Sequence, residues 1–292
     1  YTTANTLSLH DALPISPDIS SPTHPNPERH YAEAHPVFNV DKVDDLSGVD
    51  GFYYKVDRFY DTMPDKKGGK FTRDTSIRIS EPLEDGDWYF HIVLKDKAGN
   101  IGTEAAHYKF RIETNPPEVS IKELPKFVRT ESFEVEWSGE DRESGIFCFT
   151  VEYKEGEKGK WKTWLKETKA RSAVFKGEDG ITYYFRIKAR DNAGNWSDFL
   201  EIDSMRTTVD ISPPSMVTQI VAKPVKDGKI MLEWSRSADS ISGLDYYRVY
   251  RSAVPGQIGM QICDDGAVKE TKYIDESREI EDGIIYYYTV RP

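Results

Sequence analysis

An all-β chain, built as a tandem array of one sandwich-sized unit, is the fold the sequence predicts, and three observations predict it. The first is strand periodicity. Residues 180–196 read GITYYFRIKARDNAGNW, so that Tyr183, Phe185, Ile187 and Ala189 fall on one face of an extended strand and Arg186, Lys188 and Arg190 on the other. The second is recurrence: the same phrase stands at residues 86–100 (GDWYFHIVLKDKAGN) and begins again at residues 283–291 (GIIYYYTVR). The third is a common spacing. A D-x-S-G-like motif occurs around Ser47, Ser144 and Ser242, which lie 97 and 98 residues apart; Val40, Trp137 and Trp234 repeat at 97, as do the diproline joints at Pro116 and Pro213. A period near 97 fits a seven-stranded antiparallel sandwich of about 100 residues and is too long for a solenoid repeat.

Taken in order, the chain opens on a stretch that does not belong to the array. Residues 6–15 (TLSLHDALPI) are apolar enough to suggest a secretory signal, but His10 and Asp11 interrupt the run and no Lys or Arg precedes Arg29, whereas a signal needs a basic lead and an unbroken apolar core. Residues 8–15 match the translation of a short-read sequencing adapter, so residues 1–16 are set apart as an assembly scar and the native N-terminus is expected to lie elsewhere. The Pro-rich lead-in that follows, with His24, His30 and His35, is expected to be a solvated segment entering the first unit, held extended by its prolines.

The second unit shows the strand pattern most clearly. Residues 118–121, 132–137, 147–153, 161–165 and 171–175 read as strands, then a turn at 177–180 leads to the long strand through Ala189. The intervening turns are rich in Gly, Asp, Asn and Ser, which accept positive φ or bond their own backbone. No segment carries a 3.6-residue apolar period, so essentially no helix is expected.

Composition limits the partners. Among 292 residues the net charge is −11, which repels phosphate backbones and anionic lipid alike; nucleic acid is excluded as a partner, and no apolar run is long enough to insert in a membrane. The two cysteines, Cys148 and Cys263, sit in different units at unrelated positions, so neither a shared disulfide nor a cysteine metal site is expected.

These residues carry a resemblance. Trp137 and Trp234, the aromatic residues three after a glycine (Tyr183 after Gly180, Tyr286 after Gly283) and the Y-x-F-R-I-K-A-x-D strand resemble fibronectin type III domains, and the D-x-S-G-I and D-x-A-G-N pair resembles bacterial Ig-like repeats of secreted and surface proteins. The resemblance runs from about residue 17 to the end, which sets the expected modules at 17–115, 116–212 and 213–292, the last cut short at Pro292. The first module departs from the pattern, with Val40 in place of Trp and Trp88 only two residues after Gly86. It implies tandem immunoglobulin-like or fibronectin type III β-sandwich domains, a monomeric string in an extracellular or cell-surface setting.

The same resemblance places the D-x-S-G and D-x-A-G-N turns at one pole, Asp45 near Asp96 and Asp141 near Asp191, beside the diproline joint. Calcium would find oxygen ligands there, but Asp and Ser in such turns ordinarily cap their own amides, so no metal ligand, cofactor or catalytic residue is assigned. His91 is expected on an outward strand face. Trp161 and Trp164, three apart on a strand, point to opposite faces, which leaves at most one of them, with Trp196, Tyr53 and Tyr54, for a sugar platform; packing is the preferred role. The expected function is therefore a non-catalytic extracellular region of spacer or interaction modules, with a polysaccharide or protein ligand as the conceivable partner. The alternatives are accessory binding modules of a secreted hydrolase and the ectodomain of a membrane sensor.

Overall fold

Residues 16–41, 43, 47–277, 280–281 and 283–292 are described by the structure, a computed structural model. Residues 1–15 and Asp45, on which two of the expectations above fall, lie outside them. Strands account for nearly all regular structure, and the only helical element among the described residues is the 3-10 turn Lys226–Gly228.

The second sandwich shows how the alternation becomes a core. A five-stranded sheet runs in the order Phe127–Val128, Arg206–Val209, Thr182–Asp191, Ile146–Glu155, Lys162–Thr168, and a three-stranded sheet in the order Ser172–Lys176, Ser132–Glu140, Glu118–Ile121. All pairings are antiparallel except Phe127–Val128, which crosses over to run parallel to Arg206–Val209. The long strand Thr182–Asp191 buries every second side chain. Phe133, Val135, Trp137, Phe149, Phe175, Tyr183, Phe185 and Ile187 close the core between the sheets, with Trp164 and Phe185 edge-on to Phe175 at 5.1 and 5.0 Å. Removing a ring of this size from such a core costs about 3–5 kcal/mol.

The first sandwich repeats the plan. Its larger sheet runs His30–Tyr31, Ala106–Ile112, Gly86–Asp96, Val49–Asp57, Lys70–Thr72, and its smaller one Ile19–Ser20, Val37–Val40, Ser76–Arg78. Val40 takes the place of the tryptophan and is equally buried, and Phe38 fills the space by stacking on Phe90 at 4.1 Å. The third unit has two three-stranded sheets, Val221–Pro224, Ile230–Glu233, Lys272–Asp275 and Met260–Gln261, Arg248–Ser252, Tyr287–Arg291. Trp234 and Tyr247 meet edge-to-face in its core at 5.3 Å.

The aromatic after the glycine has a visible purpose. Tyr183 Oη accepts from the Glu178 amide at 2.9 Å, and Tyr286 Oη accepts from the Glu281 amide at 3.1 Å, fastening the chain as it turns into the long strand. Trp88 does the same job with opposite polarity, its Nε1 donating to the Glu84 carbonyl at 2.7 Å. An indole can only donate, so the corner re-forms around a carbonyl.

Two expectations are corrected. The Pro-rich lead-in is part of the first sandwich: Ile19–Ser20 pairs with Val37–Val40, and His24 is fully buried, edge-on to Tyr31 at 5.1 Å and Phe110 at 5.3 Å. Short polar side chains pin it, Ser21 Oγ donating to the Val37 carbonyl at 2.7 Å and accepting from the His24 amide at 3.0 Å. His91 is likewise buried. Its Nδ1 lies 2.7 Å from Nδ1 of His107 and its Nε2 3.2 Å from Asp57 Oδ1. The Asp57 carboxylate anchors the segment beyond its strand through the Phe59 amide and the Thr62 hydroxyl. The polar face of that strand is polar, but it is covered.

Candidate functional site

The end of the first sandwich is where chemistry gathers. The strand Ala106–Ile112 runs on into Glu113, whose amide donates to the Tyr31 carbonyl at 3.1 Å. Asp85 then clamps the linker, accepting from the Thr114 amide and hydroxyl, both at 2.8 Å, and from Asn115 Nδ2 at 2.6 Å. Pro116 and Pro117 follow, with φ fixed by their rings, and the chain enters Glu118–Ile121.

Two turns of the second sandwich face this joint. In the first, Asp141 Oδ1 accepts from the Gly145 amide, and Gly145 sits at φ 79°, as its counterparts Gly48 and Gly243 do at 78° and 82°; the left-handed conformation explains the glycine of the motif. In the second, Asp191 Oδ1 accepts from the amides of Gly194 and Asn195 at 2.6 and 2.8 Å, and Oδ2 from Asn195 Nδ2 at 2.8 Å. Asn192 Nδ2 ties the turns together through the carbonyls of Ser144 and Gly145, each at 2.9 Å.

Contacts then cross from one sandwich to the other. Asn195 Nδ2 also donates to the Glu113 carbonyl at 2.7 Å, the Ala32 amide donates to the Ala193 carbonyl at 3.2 Å, and His30 Nε2 lies 3.9 Å from Glu143 Oε2. The side chain of Glu113 is drawn into the same place. One carboxylate oxygen from each of Glu113, Asp141 and Asp191 lies within 4.8 Å of the others, with Glu113 and Asp191 buried and Asp141 half-buried. Ser144 offers Glu113 Oε1 only a long amide contact of 3.4 Å, and Oε2 is buried with no hydrogen-bond partner. Burial pushes the Glu113 carboxyl up to about 7; the Ser144 contacts pull against it, and the Asp141 and Asp191 charges push it further.

The resemblance-based placement of Asp141 beside Asp191 therefore describes the structure, and both cap amides as expected. Glu113 is the residue that sequence reasoning missed. Its signal was available at the next joint: Asp210 stands 97 residues on, also three residues before a diproline, and its Oδ1 is likewise buried without a partner. Asp210 and Asp239, the counterpart of Asp141, line one cleft between the second and third units, and Asp179 clamps this linker as Asp85 does the first, accepting from the Ile211 amide at 2.9 Å and from the Ser212 hydroxyl.

The aromatics are occupied. Trp164 packs against the second core, while Trp161, just outside the strand Lys162–Thr168, and Trp196 belong to a ladder on the outer face. In that ladder Arg186 lies over Trp161 and Phe199 at 4.4 and 4.2 Å, Lys188 over Trp196 and Phe199 at 4.6 and 4.8 Å, and Arg190 over Phe147 at 4.6 Å. Each such contact contributes about 0.5–1 kcal/mol at an exposed site. In the first sandwich Tyr54 packs against the core and Tyr53 leans on Phe71 at 5.2 Å. Both cysteines are free.

The described residues thus form an all-β array of tandem two-sheet sandwiches, the immunoglobulin-like fold. No family model matches the chain. It is 30% identical over 142 residues to mouse Protein sidekick-1, covering 46% of this chain and 6% of that protein. To Exoglucanase B of Cellulomonas fimi it is 27% identical over 191 residues, covering 61% of this chain and 17% of that protein. It thus spans a small part of the length of the curated relatives it matches. Among solved structures it is similar to domains A168–A170 of titin (14% identity, 96% of this chain and 92% of that one, TM-score 0.43). It is also similar to the fibronectin(III)-like modules of Clostridium thermocellum CbhA (13% identity, 66% and 94%, TM-score 0.37).

Proposed function

We propose that this chain is a non-catalytic spacer and interaction region of a larger secreted or cell-surface protein, divided into modules at residues 17–115, 116–212 and 213–292 and working as a monomeric string. The observation that carries the reading is the joint. Diprolines fix the backbone, an aspartate clamps each linker, and Asn195, Ala193 and Glu143 bind the second sandwich to the end of the first. Such a joint transmits orientation, which a flexible Gly/Ser linker does not. Small-angle X-ray scattering on the 292-residue chain tests it: a single elongated shape should fit the data, and Asn195→Ala should broaden the distribution of distances. A wild-type curve that requires freely reorienting modules sinks the proposal.

A second reading, accessory binding modules of a secreted hydrolase, is favoured by one finding, the similarity to a protein named an exoglucanase. It predicts retention on insoluble cellulose that Trp196→Ala abolishes. The rings of Trp161 and Trp196 carry Arg and Lys on their faces, an arrangement that competes with sugar stacking, so no retention is the expected outcome.

A further inference from the structure

The three carboxylates at the first joint are gathered as a cation would need them. Like charges repel by several kcal/mol when they are close and shielded from water, and an unpartnered buried carboxylate oxygen carries its full desolvation cost. Glu113 is 1% exposed, its Oε2 has no hydrogen-bond partner, and one of its oxygens lies within 4.8 Å of one oxygen each of Asp141 and Asp191. Among the described residues no Lys, Arg or His forms an ion pair with any of the three. Ordinary capping accounts for Asp191 and Asp141, whose oxygens accept turn amides. It does not account for Glu113, which is delivered from the other sandwich, takes only the long contact from the Ser144 amide on Oε1 and leaves Oε2 unpartnered.

Size and donor type select the ion. Calcium takes oxygen ligands at about 2.3–2.6 Å, so two ligands on opposite sides of one ion stand up to roughly 4.6–5.2 Å apart, and a set of oxygens within 4.8 Å of one another falls inside that span. Magnesium, at about 2.0–2.1 Å, draws opposite ligands to within roughly 4.2 Å and demands strict octahedral geometry. The set contains no imidazole or thiolate, which zinc prefers. The internal repeat supplies an independent sign: Asp210, the counterpart of Glu113 at the second joint, also holds a buried, unpartnered oxygen, and it shares a cleft with Asp239.

We propose that Glu113, Asp141 and Asp191 form a calcium site at the joint between the first two sandwiches, in which Glu113 supplies the ligand that locks one sandwich to the next. Water fills the remaining coordination positions. Binding at this site does not depend on the spacer reading, since an accessory module with a rigid joint would hold the ion equally well.

Isothermal titration of the full chain with calcium chloride, after treatment with chelator, tests it together with thermal melts in calcium and in EDTA. The wild type should bind calcium, and its melting midpoint should rise. Glu113→Gln, which keeps shape and removes charge, should weaken that binding at least tenfold and abolish the midpoint shift; Asp141→Asn, which retains the Gly145 cap, should weaken it similarly. In EDTA, Glu113→Gln should melt no lower than the wild type, which separates a lost ligand from a damaged fold. Magnesium at the same concentration should give less than a tenth of the affinity. The proposal is overturned if the wild type shows neither heat nor midpoint shift, if Glu113→Gln binds calcium as the wild type does, or if magnesium binds equally well. Scattering on the Glu113→Gln chain keeps the two proposals apart: loss of calcium with an unchanged elongated shape removes the ion and leaves the spacer.

Discussion

The same turn, D-x-A-G-N, closes the long strand in both of the first two sandwiches, and its two copies live in different company. Asp96 accepts from the Asn100 amide at 2.7 Å, from Asn100 Nδ2 at 2.8 Å and from the Ser47 hydroxyl at 2.9 Å. Burial alone would raise its carboxyl, but these hydrogen bonds outweigh burial and hold it below the usual range. Asp191 has the same asparagine cap, yet Ser144 is turned away from it: the Ser144 hydroxyl accepts from the Ala193 amide at 3.2 Å, and its amide faces Glu113. The first copy is a self-contained cap. The second is one wall of a site whose other wall arrives from the preceding sandwich. One local motif can thus be purely structural or part of an interface, and Glu113, from the preceding sandwich, decides which.

The largest effect should come from Asp191→Ala, which strands the amides of Gly194 and Asn195 and frees Asn195 Nδ2 from its carboxylate. At about 1 kcal/mol for each of the three hydrogen bonds lost to the carboxylate, the second sandwich should lose roughly 3 kcal/mol in a urea melt and its grip on Glu113 should loosen with it. Asp96→Ala should instead destabilise the first sandwich and leave the transition of the second in place; a common loss in both would break the comparison.

Acid should separate the sandwiches next. His24, buried in the first, has its imidazole lowered to about 4 by burial, with Glu33 pulling weakly the other way. The unfolded chain, with a pKa near 6.5, then binds more protons than the folded one between those values, so stability is full above about 6.5 and is lost as pH falls toward 4, by roughly 3 kcal/mol. His91 is shifted down by burial in the same sense, and the second sandwich has no histidine. Circular dichroism melts from pH 7 to 4 should show the first sandwich weakening earlier, and His24→Phe should flatten that dependence.

A smaller effect, about 1 kcal/mol for a side-chain hydrogen bond, is expected for Ser144→Ala, which loses the bond to the Ala193 amide and should be read in the second transition only. Similar in size should be Arg186→Gln, which loses two ring contacts and the pairing with Glu152 at 2.6 Å. A partly exposed ion pair and ring contacts together contribute about 1 kcal/mol, and high salt should erase part of the difference from the wild type.

The sequence by itself determined the fold. Alternation at Tyr183, Phe185, Ile187 and Ala189 fixes which face is buried, because a strand has only two faces; the glycines of the D-x-S-G turns fix a left-handed backbone; and the 97-residue register repeats both. Even Asp141 and Asp191 were brought together by the resemblance. What only the tertiary structure decided is what lies on top of a face. His91 is on the polar side of its strand, as the alternation requires, but the segment anchored by Asp57 covers it. His24 reads as linker, yet Tyr31 and Phe110 enclose it. Glu113 drew no reading from the sequence and is buried at the joint, where its carboxylate meets Ser144, Asp141 and Asp191 of the next sandwich. Periodicity reports the direction of a side chain along its own strand; burial and charge pairing depend on neighbours far away in sequence, and those are set when the sheets and sandwiches dock.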